Sequence, residues 1–490
     1  MERPLNVLLI AAEVTPFAKV GGLADVAGAL PKALRKLGHD VRIILPKYRQ
    51  VDEGKYGLTD ALGEFQVPFG ATGEPVKVKA TTSGQSVPVY FVQNSRYFDR
   101  ENVYGYPDDA ERFIFFCRAA AEVPRRLGWQ PDVIHCNDWH TAIIPAWLKT
   151  IYKQDPFYAR CATVFTVHNL AYQGVFDERY LALTGIEPAV YRSLVPLYIQ
   201  GLNLMSLALR CSDVVNTVSE NYAREILTPE YGEGLQQILQ DQRERLFGIV
   251  NGIDYDEWNP ATDPHIAAKY DVSSIEKKVE NKLALQRERG LAVDPEVPLL
   301  GTVSRLADQK GFDLVASAID PMMKELGMQF IVLGTGEPKY HDLFRDIGNR
   351  YPARAAIVIG FDPVLAQKIY AGADMFLMPS RFEPCGLGQL ISFRYGTIPV
   401  VRRTGGLADT VQDFDPRTGR GNGFVFEHYN DRALLVAVTR AIESYKHRDT
   451  WQGLVKAGMV ADYSWAASAR KYADLYAHAL TLKEQHAATT

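Results

Sequence analysis

Two stretches of this 490-residue chain repeat one pattern. Lys19-Val20-Gly21-Gly22-Leu23-Ala24-Asp25 and Arg403-Thr404-Gly405-Gly406-Leu407-Ala408-Asp409 each set a basic residue two positions before a glycine pair that opens an apolar helical pattern. Glycine lets a backbone turn tightly and approach a ligand closely. The N–H groups and positive dipole end of a helix N-terminus favour an anion. A lone glycine pair is as readily a plain tight turn. The shared five-residue core with its matched base weighs toward two similar domains facing one phosphorylated ligand.

The common phosphate motifs narrow the chemistry. Neither glycine pair carries the G-x-x-x-x-G-K-[ST] of a P-loop. The first strand, Val7–Ala12, runs into Glu-Val-Thr-Pro instead of a dinucleotide fingerprint. Gly334-Thr335-Gly336 follows a strand but lacks the third glycine. A stronger set is Ser304-Arg305-Leu306-Ala307-Asp308-Gln309-Lys310-Gly311, with two cations five positions apart in a loop that enters a helix. Such a pair suits a diphosphate, whose developing charge as a leaving group needs neutralising. A solvated surface pair is the plain alternative. In Pro379-Ser380-Arg381-Phe382-Glu383-Pro384-Cys385-Gly386-Leu387-Gly388, a carboxylate ends a parallel strand, where open α/β sheets bind ligands. Glu383 there would accept hydrogen bonds from sugar hydroxyls, or serve only as a helix-start charge. In the first half, His135-Cys136-Asn137-Asp138-Trp139-His140 and Thr166-Val167-His168-Asn169-Leu170 also end strands.

The elements that must hold these residues alternate between strand and helix. Val7–Ala12, the helix Leu23–Leu37 with Gly38 as its cap, and Val41–Leu45 form one βαβ unit. Strands follow at Val89–Val92, Val133–Cys136, Ala162–Val167, Val214–Val218 and Gly248–Val250. After a charged helix near Ile275–Arg289 the pattern restarts. Strands are read at Leu299–Val303, Gln329–Leu333, Ala356–Ile359, Met375–Met378 and Ile398–Val401, with helices at Gly311–Ile319 and Gln389–Tyr395. The fold class is therefore α/β, as two doubly wound halves. An N-terminal domain is read over 1–250 and a C-terminal domain over 251–465. A last helix from 466 onward has no strand after it and is expected to cross back, with a frayed tail after Glu484. Region 51–80 is read as irregular.

Bulk properties exclude several classes. A net charge of −4 argues against a nucleic-acid or membrane partner. The five cysteines are scattered and lack a C-x-x-C pair, against a disulfide framework or zinc site and in keeping with a reducing cytoplasm. The first residues do not read as a signal peptide. A homo-oligomer is left open.

Taken in order, these motifs, with Val250-Asn251-Gly252-Ile253-Asp254, resemble the bacterial glycogen synthase and plant starch synthase family over residues 5 to about 475. Val20 stands where some members have Thr. The resemblance implies a GT-B fold, two Rossmann-like domains with the active site in their cleft. It implies transfer of glucose from ADP-glucose to the non-reducing end of an α-1,4-glucan such as glycogen. The anomeric configuration is retained, and no metal or pyridoxal cofactor takes part. By the same resemblance Arg305 and Lys310 neutralise the diphosphate, Glu383 holds the glucosyl hydroxyls, and His168 lies beside the transferred glucose. The backbone at Gly21-Gly22 and at Thr404, Gly405, Gly406 and Leu407 binds phosphate or sugar from either side; Lys19 and Asp25 belong to the first motif, with Lys19 near the donor phosphate. Asp138 lines the sugar pocket, Asn251, Cys385, Gly386 and Leu387 bind substrate, and Phe361 stacks on adenine. Tyr104 and Tyr106 are read in a candidate acceptor loop, with a place in the core as the plain alternative. The competing readings are a retaining GT-B enzyme using a UDP- or GDP-sugar, a phosphorylase with a pyridoxal lysine, and a silent glucan-binding protein.

Overall fold

The computed structural model describes residues 3–70 and 72–489. The chain divides into two compact units, Met1–Asn251 with Trp465–Thr490, and Gly252–Ser464.

The first unit holds strands Asn6–Ile10 (β1), Asp40–Pro46 (β2), Thr59–Phe69 (β3), Thr72–Ser83 (β4), Val87–Gln93 (β5), Val133–Asn137 (β6) and Ala162–Val167 (β7). Val175–Phe176 (β8), Leu202–Asn203 (β9), Val214–Thr217 (β10) and Leu246–Gly248 (β11) complete it. Its main sheet runs β11-β10-β7-β6-β1-β2-β5-β4-β3. All pairs are parallel except β5–β4 and β4–β3. Strands β6 and β7 are buried throughout, as expected when helices cover both faces of a parallel sheet. The chain order reverses between β1 and β6, so the loops that follow these two strands flank the crevice where such sheets take ligands.

Part of the region read as irregular is the β3–β4 hairpin. Register shifts between Asp60, Leu62 and Phe65 break the period-two pattern that would have announced it. Only one face meets the core, through Val67, Phe69, Val76 and Val78. Strand β11 ends at Gly248, two residues before the reading placed it, and a Cβ on Gly248 would lie 2.2 Å from Ser219 O.

The second unit holds Leu299–Val303 (β12), Gln329–Gly334 (β13), Ala355–Ile359 (β14), Met375–Met378 (β15), Ile398–Arg402 (β16) and Phe424–Phe426 (β17). Its sheet, β14-β13-β12-β15-β16-β17, is parallel throughout. The order reverses between β12 and β15. The helix after β12 runs Phe312–Glu325, longer than read.

Helix Trp465–Thr489 packs on the first unit through fully buried Tyr472 and Tyr476. A His135 ring nitrogen lies 2.9 Å from Tyr476 Oη, the other 2.7 Å from Thr166 Oγ1, and Asn216 Nδ2 donates to Tyr472 Oη at 3.1 Å. Burial holds His135 neutral, its pKa lowered to about 3, so this histidine is a structural tie. The expected frayed tail is helical to Thr489, since Lys483-Glu484-Gln485-His486-Ala487-Ala488 contains no helix breaker. Thr490 lies outside the described residues. Among the described residues no helix is long and apolar enough to cross a membrane.

Candidate active site

In the second unit the crevice between β12 and β15 receives both charged loops. Gly311, at φ +73°, lies so close to Pro379 that a Cβ would sit 2.0 Å from that carbonyl oxygen. This contact lets the two loops meet. Lys310 Nζ then reaches Glu383 Oε2 at 2.6 Å, and Ser380 Oγ donates to the same oxygen at 2.9 Å. The Arg381 N–H donates to Gln309 O at 2.8 Å. The Glu383 side chain is 7% exposed, so its charge is held by a partner, as a buried carboxylate requires. Arg305 is exposed and held only loosely, with Nη2 3.4 Å from Gln309 Oε1. Phe361 follows β14 and is 82% exposed, so its ring is open to a stacking partner.

The second glycine pair lies directly beneath this site. Gly405 has φ +44°, and a Cβ there would be 1.9 Å from Glu383 O; one on Gly406 would be 2.1 Å from Cys385 O. The Gly406 N–H donates to Glu383 O and Pro384 O, both at 3.1 Å, and the Leu407 N–H to Thr404 O at 3.0 Å. Thr404, Gly405, Gly406 and Leu407 are all buried. The two glycine pairs therefore differ in their surroundings. The second pair packs backbone against backbone beneath Glu383-Pro384-Cys385, and the N–H groups of Gly406 and Leu407 are already engaged. Arg403, the base that matches Lys19, pairs with Glu427 at 3.1 Å.

The first pair is open. Nothing lies within 4 Å of a Cβ built on Gly21, and Lys19, Val20 and Gly22 are exposed. Lys19 Nζ pairs with Asp25 Oδ1 at 2.6 Å. Sequence reasoning missed Glu13, the residue that shapes this loop. Its carboxylate is 2% exposed and accepts the Val20 and Gly21 N–H groups (the latter at 2.8 Å) and the Tyr104 hydroxyl. The available signal was an acid terminating the apolar run of β1. Tyr104 also stacks on His140, with centroids 5.0 Å apart, whereas Tyr106 accepts the Asn102 N–H at 2.9 Å.

Asp138 and His168 meet at the ends of β6 and β7. Asp138 has φ +55° and ψ 178°, a region nearly confined to glycine, and such strain gathers at functional sites. Its Oδ1 accepts the His168 N–H at 2.7 Å. The Asn137 amide donates to Ile10 O and His135 O, so its Oδ1 faces His168 Nε2, at 3.0 Å, as an acceptor. His168 thus carries its proton on Nε2. Burial lowers its pKa to about 3, so the ring is neutral. Asn251 is 5% exposed, and its Oδ1 has no partner among the described residues.

The comparisons with known proteins agree with this geometry. The starch synthase catalytic domain family matches residues 6–241, and the glycosyl transferases group 1 family matches residues 286–453. The glycogen synthase of Desulforudis audaxviator is 49% identical over 98% of this chain and 97% of its own length. That of Moorella thermoacetica is also 49% identical, over 98% of both chains. The solved catalytic domain of starch synthase IV from Arabidopsis thaliana, bound to ADP and acarbose, superposes with a TM-score of 0.91 at 37% identity. It covers 98% of this chain and 100% of that one. The chain belongs to the glycogen and starch synthase family. It is a glucosyltransferase with the GT-B pair of Rossmann-like domains.

One titration in this glycogen synthase-type site is open to test. Burial raises Asp138 to about 7, against the His168 N–H that lowers it, and Glu13 adds to the rise. Between the ordinary carboxylate pKa near 4 and about 7, the folded state binds the extra proton, so stability falls as pH rises. Asp138→Asn is neutral at every pH. Its melting temperature relative to wild type should therefore improve from pH 5 to pH 8. A difference that stays constant over that range would show that Asp138 is charged throughout.

Proposed function

We propose that this glucosyltransferase moves glucose from ADP-glucose to the non-reducing end of an α-1,4-glucan with retention of configuration. The observation that carries the reading is the Lys310–Glu383 pair at the β12–β15 crevice. It sets a cation for phosphate beside a carboxylate for sugar hydroxyls, 2.6 Å apart. Arg305 and Lys310 supply the positive charge that a departing diphosphate needs, so the reading calls for neither a metal nor a pyridoxal cofactor. Within the first unit Lys19 and the exposed Gly22 are the groups that suit phosphate, the Gly21 N–H being held by Glu13, with Asp25 orienting the lysine. Cys385, Gly386 and Leu387 present backbone to the sugar, Thr404 to Leu407 support them from below, and Phe361 offers its ring to adenine. The ADP and acarbose in the Arabidopsis relative favour a nucleotide donor and a glucan-like acceptor.

Retention ordinarily calls for a second carboxylate as nucleophile. In this reading the leaving phosphate instead deprotonates the incoming hydroxyl on the same face of the sugar. The His168 ring has its Nε2 proton committed to Asn137 and its backbone N–H to Asp138. The family resemblance implies that its backbone carbonyl lies beside the anomeric carbon. The protein positions and stabilises charge. Glucose incorporation into glycogen should be fast with labelled ADP-glucose and slow with UDP-glucose. The reverse preference would move the chain to the UDP-sugar reading.

A further inference from the structure

Gln389 is fully buried one residue into the helix Gly388–Arg394, and no part of the reaction described so far uses it. Its Nε2 donates to Cys385 O at 3.1 Å, to Gly386 O at 3.0 Å and to Thr410 Oγ1 at 3.2 Å. Three acceptors surround one amide nitrogen, which fixes the orientation of the amide. Its oxygen is left without a partner among the described residues, a costly state for a buried acceptor. That oxygen lies 2.5 Å from where a Cβ on Gly386 would be, and Gly386 has φ +75°. Only glycine fits this turn over this amide.

The consequence follows from peptide geometry. The bonds joining Cys385, Gly386 and Leu387 are trans, so in each plane the N–H points opposite to the C=O. With the Cys385 and Gly386 carbonyls drawn to Gln389, the N–H groups of Gly386 and Leu387 face away from it. A left-handed residue followed by Leu387 at φ −110°, ψ −27° is the backbone pattern that makes successive N–H groups converge. Thr410 extends the clamp, since its hydroxyl donates to Gly406 O at 2.7 Å while the Gly406 N–H holds Glu383 O.

We infer that Gln389 is a positioning residue whose side-chain amide aims the Gly386 and Leu387 N–H groups at the oxygens of the transferred sugar. The inference rests on the proposed place of the donor glucose beside Glu383. The test is Gln389→Met in the full chain, measured for turnover with ADP-glucose and glycogen, for ADP affinity and for melting temperature. Turnover should fall by about tenfold or more, as when an aligned N–H donor is misplaced. ADP affinity should hold within about twofold, because Arg305 and Lys310 stand on the loop after β12. A purely structural residue would lower the melting temperature and leave turnover per folded molecule intact, which would overturn the inference. A double-mutant cycle covers the event that Gln389→Met does not fold. Gly386→Ala should cost less turnover in a Gln389→Ala background, where the opposing oxygen is gone, than in wild type; additive effects would also overturn it. A wild-type chain inactive with ADP-glucose defeats the donor reading and takes this inference with it. An active wild type with an unaffected Gln389→Met defeats this inference alone.

Discussion

Lys310→Ala is expected to lower turnover by about 10²–10³-fold or more, the scale seen when one preorganised charge or donor is removed from a transition state. The same change strands a carboxylate. Glu383 is 7% exposed at its side chain and, among the described residues, would keep only Ser380 as a side-chain partner. Leaving one member of a largely buried pair uncompensated costs about 3–5 kcal/mol when burial is complete, and less here because Lys310 is 18% exposed. The melting temperature should therefore drop together with activity. Arg305→Ala separates the two effects. Arg305 is exposed with one long contact to Gln309, so its loss should reduce turnover comparably while the melting curve stays in place. Steady-state assays beside thermal melts decide the matter. Near-normal turnover in both variants would remove the cations from the reaction.

The second large effect concerns the two glycine pairs. Gly406→Ala places a methyl group 2.1 Å from Cys385 O, and Gly405→Ala one 1.9 Å from Glu383 O at a positive φ. Each obstacle is backbone, which has no rotamer to yield. The Glu383 loop must lift from its support, so a loss above about 4 kcal/mol is expected, with activity abolished. Gly21→Ala meets nothing within 4 Å and should change stability by about 0.5 kcal/mol or less. Any activity it loses would report ligand contact. Equal melting temperatures for Gly21→Ala and Gly406→Ala would refute the distinction drawn between the loops.

Much of this was legible in the chain. Parallel strands buried on both faces read as continuous apolar runs, so β1, β6, β7, β12 and β15 stand out by composition, and the polar residues that end them mark the ligand edge. The β3–β4 hairpin did not stand out, because register shifts disturb its alternation. Gln389 was illegible, and Glu13 was marked only as an acid ending the apolar run of β1, for another reason. Each acts on backbone groups of a neighbouring turn, and nothing in residue type discloses which N–H or C=O a buried side chain will face.

The repeated Gly-Gly-Leu-Ala-Asp marks the division most clearly. By itself the sequence determined that both pairs start helices and that each follows a basic residue, since these are local properties of glycine and of helix periodicity. Only the tertiary structure decided that they do different work. Gly21 faces open space while Glu13 takes the N–H groups of its turn, and Gly405 and Gly406 carry the weight of the Glu383 loop. Identical pentapeptides have identical local preferences; which atoms crowd their Cα positions is set by segments distant in sequence, here β15 and the loop after it.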